Sequence, residues 1–195
     1  MSIPKTPRGL SNTITRIRTS LSSFKREYGF IHDEAGDRYY LAYLYFLLDD
    51  NRSSSEYMRW FNREFPDDIG EPFQLLCMAL MMHRMGKDGF SMLGRTMCSN
   101  IYLLPFILDE KPEQVDMWYG YSFEKPVYLD EIPKVIVNAI TDDDRQWLNE
   151  VYHSDKLQTA LHRLIGINKE LLSECQGVRR SVLVTELSNL QKSFT

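Results

Sequence analysis

Cys77, Met78, Met81, Met82, His83, Met85, Met92, Met97 and Cys98 crowd a short stretch of the chain. Thiolate and thioether groups are the ligands that suit Cu(I). Cys77 and Met81, four residues apart, would share one face of a helix. No Cys-x-x-Cys or His-x-x-x-His accompanies them, and methionine is also the residue that fills irregular helical cores. Core filling is therefore the expected role, and no cofactor is expected. Glu150 and His153 form a single Glu-x-x-His, whereas a di-iron bundle needs two such pairs and two further glutamates. Gly29, Leu80 and Thr159 stand where His32, His83 and His162 would need a glutamate.

Other chemistries find less. Ser122 lies in Gly120-Tyr121-Ser122-Phe123-Glu124, which lacks the closing glycine of a nucleophile elbow. Gly86, Gly89 and Gly94 fall in helical patterns with no preceding strand, so no phosphate cradle is expected. The acidic runs Asp49-Asp50, Asp67-Asp68 and Asp142-Asp143-Asp144 sit at expected helix ends, where capping accounts for them. No catalytic residue is assigned, and the chain is not expected to be an enzyme. The densest aromatic run, Trp118-Tyr119-Gly120-Tyr121-Ser122-Phe123, is the strongest candidate recognition surface, because aromatic side chains dominate binding hot spots. A lid packed over helices would use the same residues.

The elements that position these groups are helical. Ile14, Ile17, Leu21, Phe24 and Tyr28 recur at spacings of three and four, giving an amphipathic helix over 11–28 behind a flexible lead at 1–10 that contains Pro4, Pro7 and Gly9. Residues 1–26 hold six basic side chains (Lys5, Arg8, Arg16, Arg18, Lys25 and Arg26) and no acidic one. The remainder holds 17 basic against 27 acidic residues. This arm, with Arg16, Arg18, Lys25 and Arg26 on the helix, can dock on the acidic body or reach an anionic partner. Docking is the preferred expectation, because amphipathic helices of globular chains turn their apolar face to the core.

Tyr39–Leu48 is apolar on nearly all sides, as an interior helix is. It breaks at Asp49-Asp50, and a partner helix runs from Ser53 to Pro66, with Tyr57, Trp60, Phe61 and Phe65 inward and Arg52, Glu56, Arg59, Arg63 and Glu64 outward. A second pair covers 73–85 and 88–99. Residues 101–140 are punctuated by prolines and hold a short helix at 101–108, a folded loop and a helix near 132–140. Thr141 and Ser154 are expected caps of two further helices, and Gly177 precedes a last one. Sustained period-two alternation is missing, so little or no sheet is expected. The longest apolar run has ten residues, about half a spanning helix. Three cysteines and no visible leader fit a reduced, cytoplasmic setting.

Pro66 and Asn100, the terminators of the two pairs, are 34 residues apart. With Ala42, Tyr45, the Asp49-Asp50 break, Ser54, Met58, Phe61 and Pro66, the first pair resembles a tetratricopeptide repeat. In the second, Ala79, Met82, Gly86 and Gly89 match, the turn reads as shortened, and Asn100 stands in place of proline. The stretch from Arg59 to Pro105 is similar to bacterial tetratricopeptide-like proteins of unassigned activity. The resemblance implies an all-α, single-domain stack of antiparallel hairpins that binds a peptide or partner protein.

The expected function is accordingly a protein-interaction module of unidentified partner, with Tyr45, Trp60, Trp118, Tyr119, Tyr121 and Phe123 as binding residues between the pairs and the 112–128 loop. A metal-binding protein or enzyme using 77–98 is the second reading. An adaptor working through the basic helix on a membrane surface or nucleic acid is the third. Nucleic acid is disfavoured by the acidic remainder, and self-association stays open.

Overall fold

The computed structural model describes residues 3–33 and 36–194. Its described residues are helical with no strand: α1 Pro7–Tyr28, α2 Asp37–Leu48, α3 Asn51–Glu64, α4 Pro72–Arg84, α5 Phe90–Ser99, α6 Leu103–Ile107, α7 Lys134–Val137, α8 Asp142–Tyr152, α9 Asp155–Ser173 and α10 Val178–Lys192. Two 3-10 turns, Ser122–Glu124 and Pro126–Glu131, lie between α6 and α7.

Helix α1 starts at Pro7, four residues before the expected start. Proline is favourable at the first helical position, and the Thr6 hydroxyl accepts from the Gly9 N–H at 3.1 Å. The expected flexible lead at 1–10 is thus partly helix. Leu10, Ile14, Ile17 and Leu21 are buried, and α1 packs on α2. Each such side chain contributes about 1.5–3 kcal/mol on burial. Exposed ion pairs contribute about 0–1 kcal/mol. The apolar face, rather than the Lys25–Glu64 pair, therefore holds the helix down. Phe24 and Tyr28 lie beyond this contact and form an aromatic cluster with Phe30 and His32.

The break at 49–50 forms as expected. Asp49 adopts a left-handed conformation (φ 52°), and the Asp50 carboxylate caps α3 by accepting from the Ser53 N–H at 2.8 Å. Ala42, Ser54, Met58 and Phe61 are all buried, whereas Glu64 is drawn inward by Lys25 and Arg63 instead of facing solvent. The link between α4 and α5 is longer than that between α2 and α3, not shortened. It spans 85–89, with Gly86 left-handed (φ 65°) and the Asp88 carboxylate accepting from the Phe90 N–H. A Cβ on Gly89 would press on the Trp147 ring and the Ala79 carbonyl, so the missing side chain lets α8 approach.

Helix α4 is the central element. Every residue from Pro72 to Met81 is buried, and α4 packs against α2, α3, α5 and α8. Its first turn is closed by a capping box between Glu71 and Gln74, and Glu71 also accepts from the Tyr43 hydroxyl at 2.8 Å. Its last residue, Arg84, joins four segments. The guanidinium binds the Asp144 carboxylate (2.6 Å from Nη2), Asp49 (2.8 Å) and the Ala139 carbonyl (2.9 Å), and lies over the Phe46 ring. Thr141 caps α8 in the expected capping box, and Ser154 caps α9. Helices α9 and α10 pack on each other and on α5. Phe194, just beyond α10, is only 3% exposed and packs against Gly94 of α5. Among the described residues, no helix is long and apolar enough to cross a membrane.

Candidate functional site

The aromatic loop is fastened from below by polar atoms. Asn100, buried at the end of α5, donates through Nδ2 to the carbonyls of Phe123 (2.6 Å) and Lys125 (3.3 Å), and its Oδ1 accepts from the Tyr102 N–H. The Tyr102 and Tyr119 hydroxyls meet at 2.9 Å. Tyr102 also accepts from the Val115 N–H, and Tyr119 donates to the Val115 carbonyl. Trp118 donates its main-chain N–H to the Asn168 carbonyl of α9 at 3.0 Å and packs against the buried cluster of Ile167, Leu171 and Leu183. Glu124 accepts from the N–H groups of Gly120 and Tyr121. Burial raises the pKa of this carboxyl against the pull of those two donors.

One prediction follows from the Asn100 position. An Asn100→Ala substitution leaves two carbonyls and one N–H without their partner, at about 1–3 kcal/mol for a buried polar group. We expect stability to fall by that amount and proteolysis to speed up within 112–128. Limited proteolysis with mass spectrometry reads both, and unchanged cleavage would show that the loop is held by other contacts.

Above these anchors the loop turns outward. Tyr121 is 55% exposed and stacks on Phe123 at 5.1 Å between ring centroids, with planes 8° apart. The pair borders a groove of about 750 Å3. Phe61, Phe65 and Ile69 line it from the end of α3 and the following turn. Arg95, Cys98 and Ser99 line it from α5, and Ser188, Gln191 and Lys192 from α10. The α3–α4 turn is closely packed and hydrogen-bonded at this edge. Gly70 has φ 82°, and any Cβ there would overlap Leu75. The Asp68 carboxylate accepts from the Gly70 N–H and the Tyr39 hydroxyl and lies 2.7 Å from Arg38 Nε.

The expected binding residues divide. Tyr121 and Phe123 border the groove. Trp118 and Tyr119 belong to its foundations. Tyr45 and Trp60, 7% and 5% exposed, lie beneath α1 and do not border it. Arg18 donates to the Tyr45 hydroxyl at 3.2 Å and lays its guanidinium over the Trp60 ring at 4.3 Å. Both are expected as binding residues between the helix pairs and the 112–128 loop, but the docked basic helix covers them. Lys25 pairs with Glu64, Arg16 lies in the field of Asp37 and Tyr40, and Arg26 is exposed. The groove residues that sequence reasoning missed are Ile69, Arg95 and the end of α10. Arg95 is the sole charged residue of α5, which was the available signal.

The sulfur-rich stretch packs as core. Burial pushes the Cys77 thiol well above its usual range and that of Cys98 up to about 12, so both are protonated. Among the described residues no three His, Cys, Asp or Glu side chains gather as metal ligands. His83 stacks on Trp147 at 4.6 Å and meets Asp143, and His153 meets Glu110 at 2.8 Å.

No family model matches the chain, and no curated protein or solved structure shows a significant match to it.

Proposed function

We propose that the chain is a protein-interaction module that takes a peptide segment or partner helix into the groove between its central helix pairs and the aromatic loop. On this reading α2 with α3 and α4 with α5 act as tetratricopeptide-like hairpins, and the loop and α10 complete the binding face that two pairs alone would leave short. The observation that supports it is the stacked Tyr121–Phe123 pair, its tyrosine exposed and its phenylalanine half-buried, on a hydrogen-bonded loop beside the recess. Rigid aromatic rings bury large area at small entropic cost, which is why they anchor interfaces. The recess falls within the range of about 300–1,000 Å3 common to ligand sites.

Selection of displayed twelve-residue peptides on the immobilised chain tests this. We expect an enriched sequence class whose synthetic members bind the wild type and lose at least tenfold in affinity to a Tyr121→Ala, Phe123→Ala double variant of unchanged melting temperature. Hot-spot aromatics typically contribute 2 kcal/mol or more, which is about thirtyfold. Equal binding to the double variant would place the interaction elsewhere on the molecule.

A further inference from the structure

Among the partly buried arginines of the described residues, two at the core of the helix packing are held by pairs of acids. Arg38 meets Asp33 and Asp68, and Arg84 meets Asp49 and Asp144. Arg95 differs. Its Nη2 donates to the main-chain carbonyls of Asp68 (3.1 Å) and Ile69 (3.2 Å), and among the described residues it forms no ion pair with a carboxylate. Its Nε–H and Nη1 donors remain for whatever enters the groove that it lines. Burial disfavours its charged form and lowers its pKa, with Asp68 opposing from a distance. A partly buried guanidinium with no carboxylate in contact gains from one, because charge-assisted hydrogen bonds are about twice as strong as neutral ones and a carboxylate fits the guanidinium fork.

We propose that Arg95 makes the groove a receptor for an acidic side chain flanked by large apolar residues on a peptide segment. This rests on the groove being the binding site and specifies its occupant. The acids of the groove do not take that place. Asp68 is held by Arg38, Tyr39 and Gly70, Glu124 is turned to the Gly120 and Tyr121 N–H groups, and Asp67 stands in solvent. The apolar neighbours of the acid meet Tyr121, Phe123 and Ile69. A side chain, rather than a chain terminus, is the fitting donor of the carboxylate. Arg95 is recessed while Tyr121 and Ile69 are each more than half exposed, so a peptide backbone at rim level reaches Arg95 only through a stem.

The test uses the full-length chain, 15N-labelled, titrated with three capped tripeptides: acetyl-Phe-Glu-Leu-amide, acetyl-Phe-Gln-Leu-amide and acetyl-Phe-Gln-Leu with a free carboxyl terminus. The Arg95 Nε–H signal and the main-chain signals of 121–124 report binding. The glutamate peptide should bind at least tenfold more tightly than its glutamine amide and shift Arg95 Nε–H. In Arg95→Gln that preference should shrink to within twofold, and Arg95→Lys, which keeps the charge without the fork, should retain part of it. Equal affinity of the glutamate and glutamine amides, with shifts at Tyr121 and Phe123, would overturn the acidic occupant and leave the groove standing. A tenfold gain for the free carboxyl terminus alone would overturn the side-chain assignment. Absence of shifts at Arg95 and at 121–124 with all three peptides would overturn the occupant and the groove together. The wild-type comparison decides the matter even where an Arg95 variant fails to fold.

Discussion

Replacing Asp144 by alanine should lower the stability of the chain by about 3–5 kcal/mol, the usual effect of removing one partner from a buried ion pair. The Asp144 side chain is almost fully enclosed, and Arg84 is mostly so. Without the carboxylate, the guanidinium keeps Asp49, the Ala139 carbonyl and the Phe46 ring but loses its closest acid. The same substitution removes the carboxylate that accepts from the Thr141 N–H, so the α8 capping box loses one of its two bonds, while the Thr141 hydroxyl still accepts from the main-chain N–H of residue 144. Arg84 ends α4, Asp144 begins α8, and Asp49 follows α2. One side chain therefore loosens three helices. Urea unfolding read by circular dichroism would show the loss as a lower midpoint at an unchanged slope. A change under 1 kcal/mol would show that Arg84 finds water or another acid.

The same pair gives a pH dependence of defined sign. Burial works against the ionised form of Asp144, but hydrogen bonds from Arg84 and Thr141 outweigh it and hold the carboxyl below its usual range. A depressed carboxyl contributes stability in full above its unfolded pKa, about 3.9. That contribution is lost as the pH falls through the lower, folded value. The stability difference between wild type and Asp144→Asn should therefore be constant from neutral pH to about pH 5 and shrink below about pH 4.

The second large effect lies where Phe194 meets Gly94 of α5. Phe194→Ala should remove about 3 kcal/mol, as for a buried phenylalanine truncated to alanine. Gly94→Ala should also destabilise in the wild type, because its Cβ would overlap the Phe194 ring. In the Phe194→Ala background the sign should reverse. With the ring gone, alanine in α5 gains up to about 1 kcal/mol of helix propensity over glycine. A double-mutant cycle by thermal or urea unfolding measures this coupling, and additivity would place the two residues out of contact.

Much of the helical layout was legible in the sequence, and the reason is local. Asp50, Thr141 and Ser154 are caps whose action spans three residues, and the period of Ile14, Ile17 and Leu21 needs no knowledge of the rest of the chain. The start of α1 was misplaced because Pro7 and Gly9 resemble a loop until Thr6 is seen to cap them. The groove was half legible. Tyr121 and Phe123 stand out in a run of aromatics, but the packing of Trp118 and Tyr119 depends on Asn168 and Tyr102, remote in the chain. Tyr45 and Trp60 match an aromatic helix face, and only the position of α1 over them removes them from the surface. Arg95 gains its meaning from the carbonyls of 68 and 69, a contact with no sequence period.

The central claim is that the recess bounded by the α3–α4 turn, α5, the aromatic loop and the end of α10 is where a partner binds. Hydrogen–deuterium exchange of the full chain, with and without a display-selected peptide, tests it most directly. The expected result is slowed exchange within 61–69, 95–99, 120–125 and 188–192, with the exposed faces of α1 and α3 unchanged. Protection confined to α1 and the outer face of α3 would contradict it and move the working surface to the basic helix.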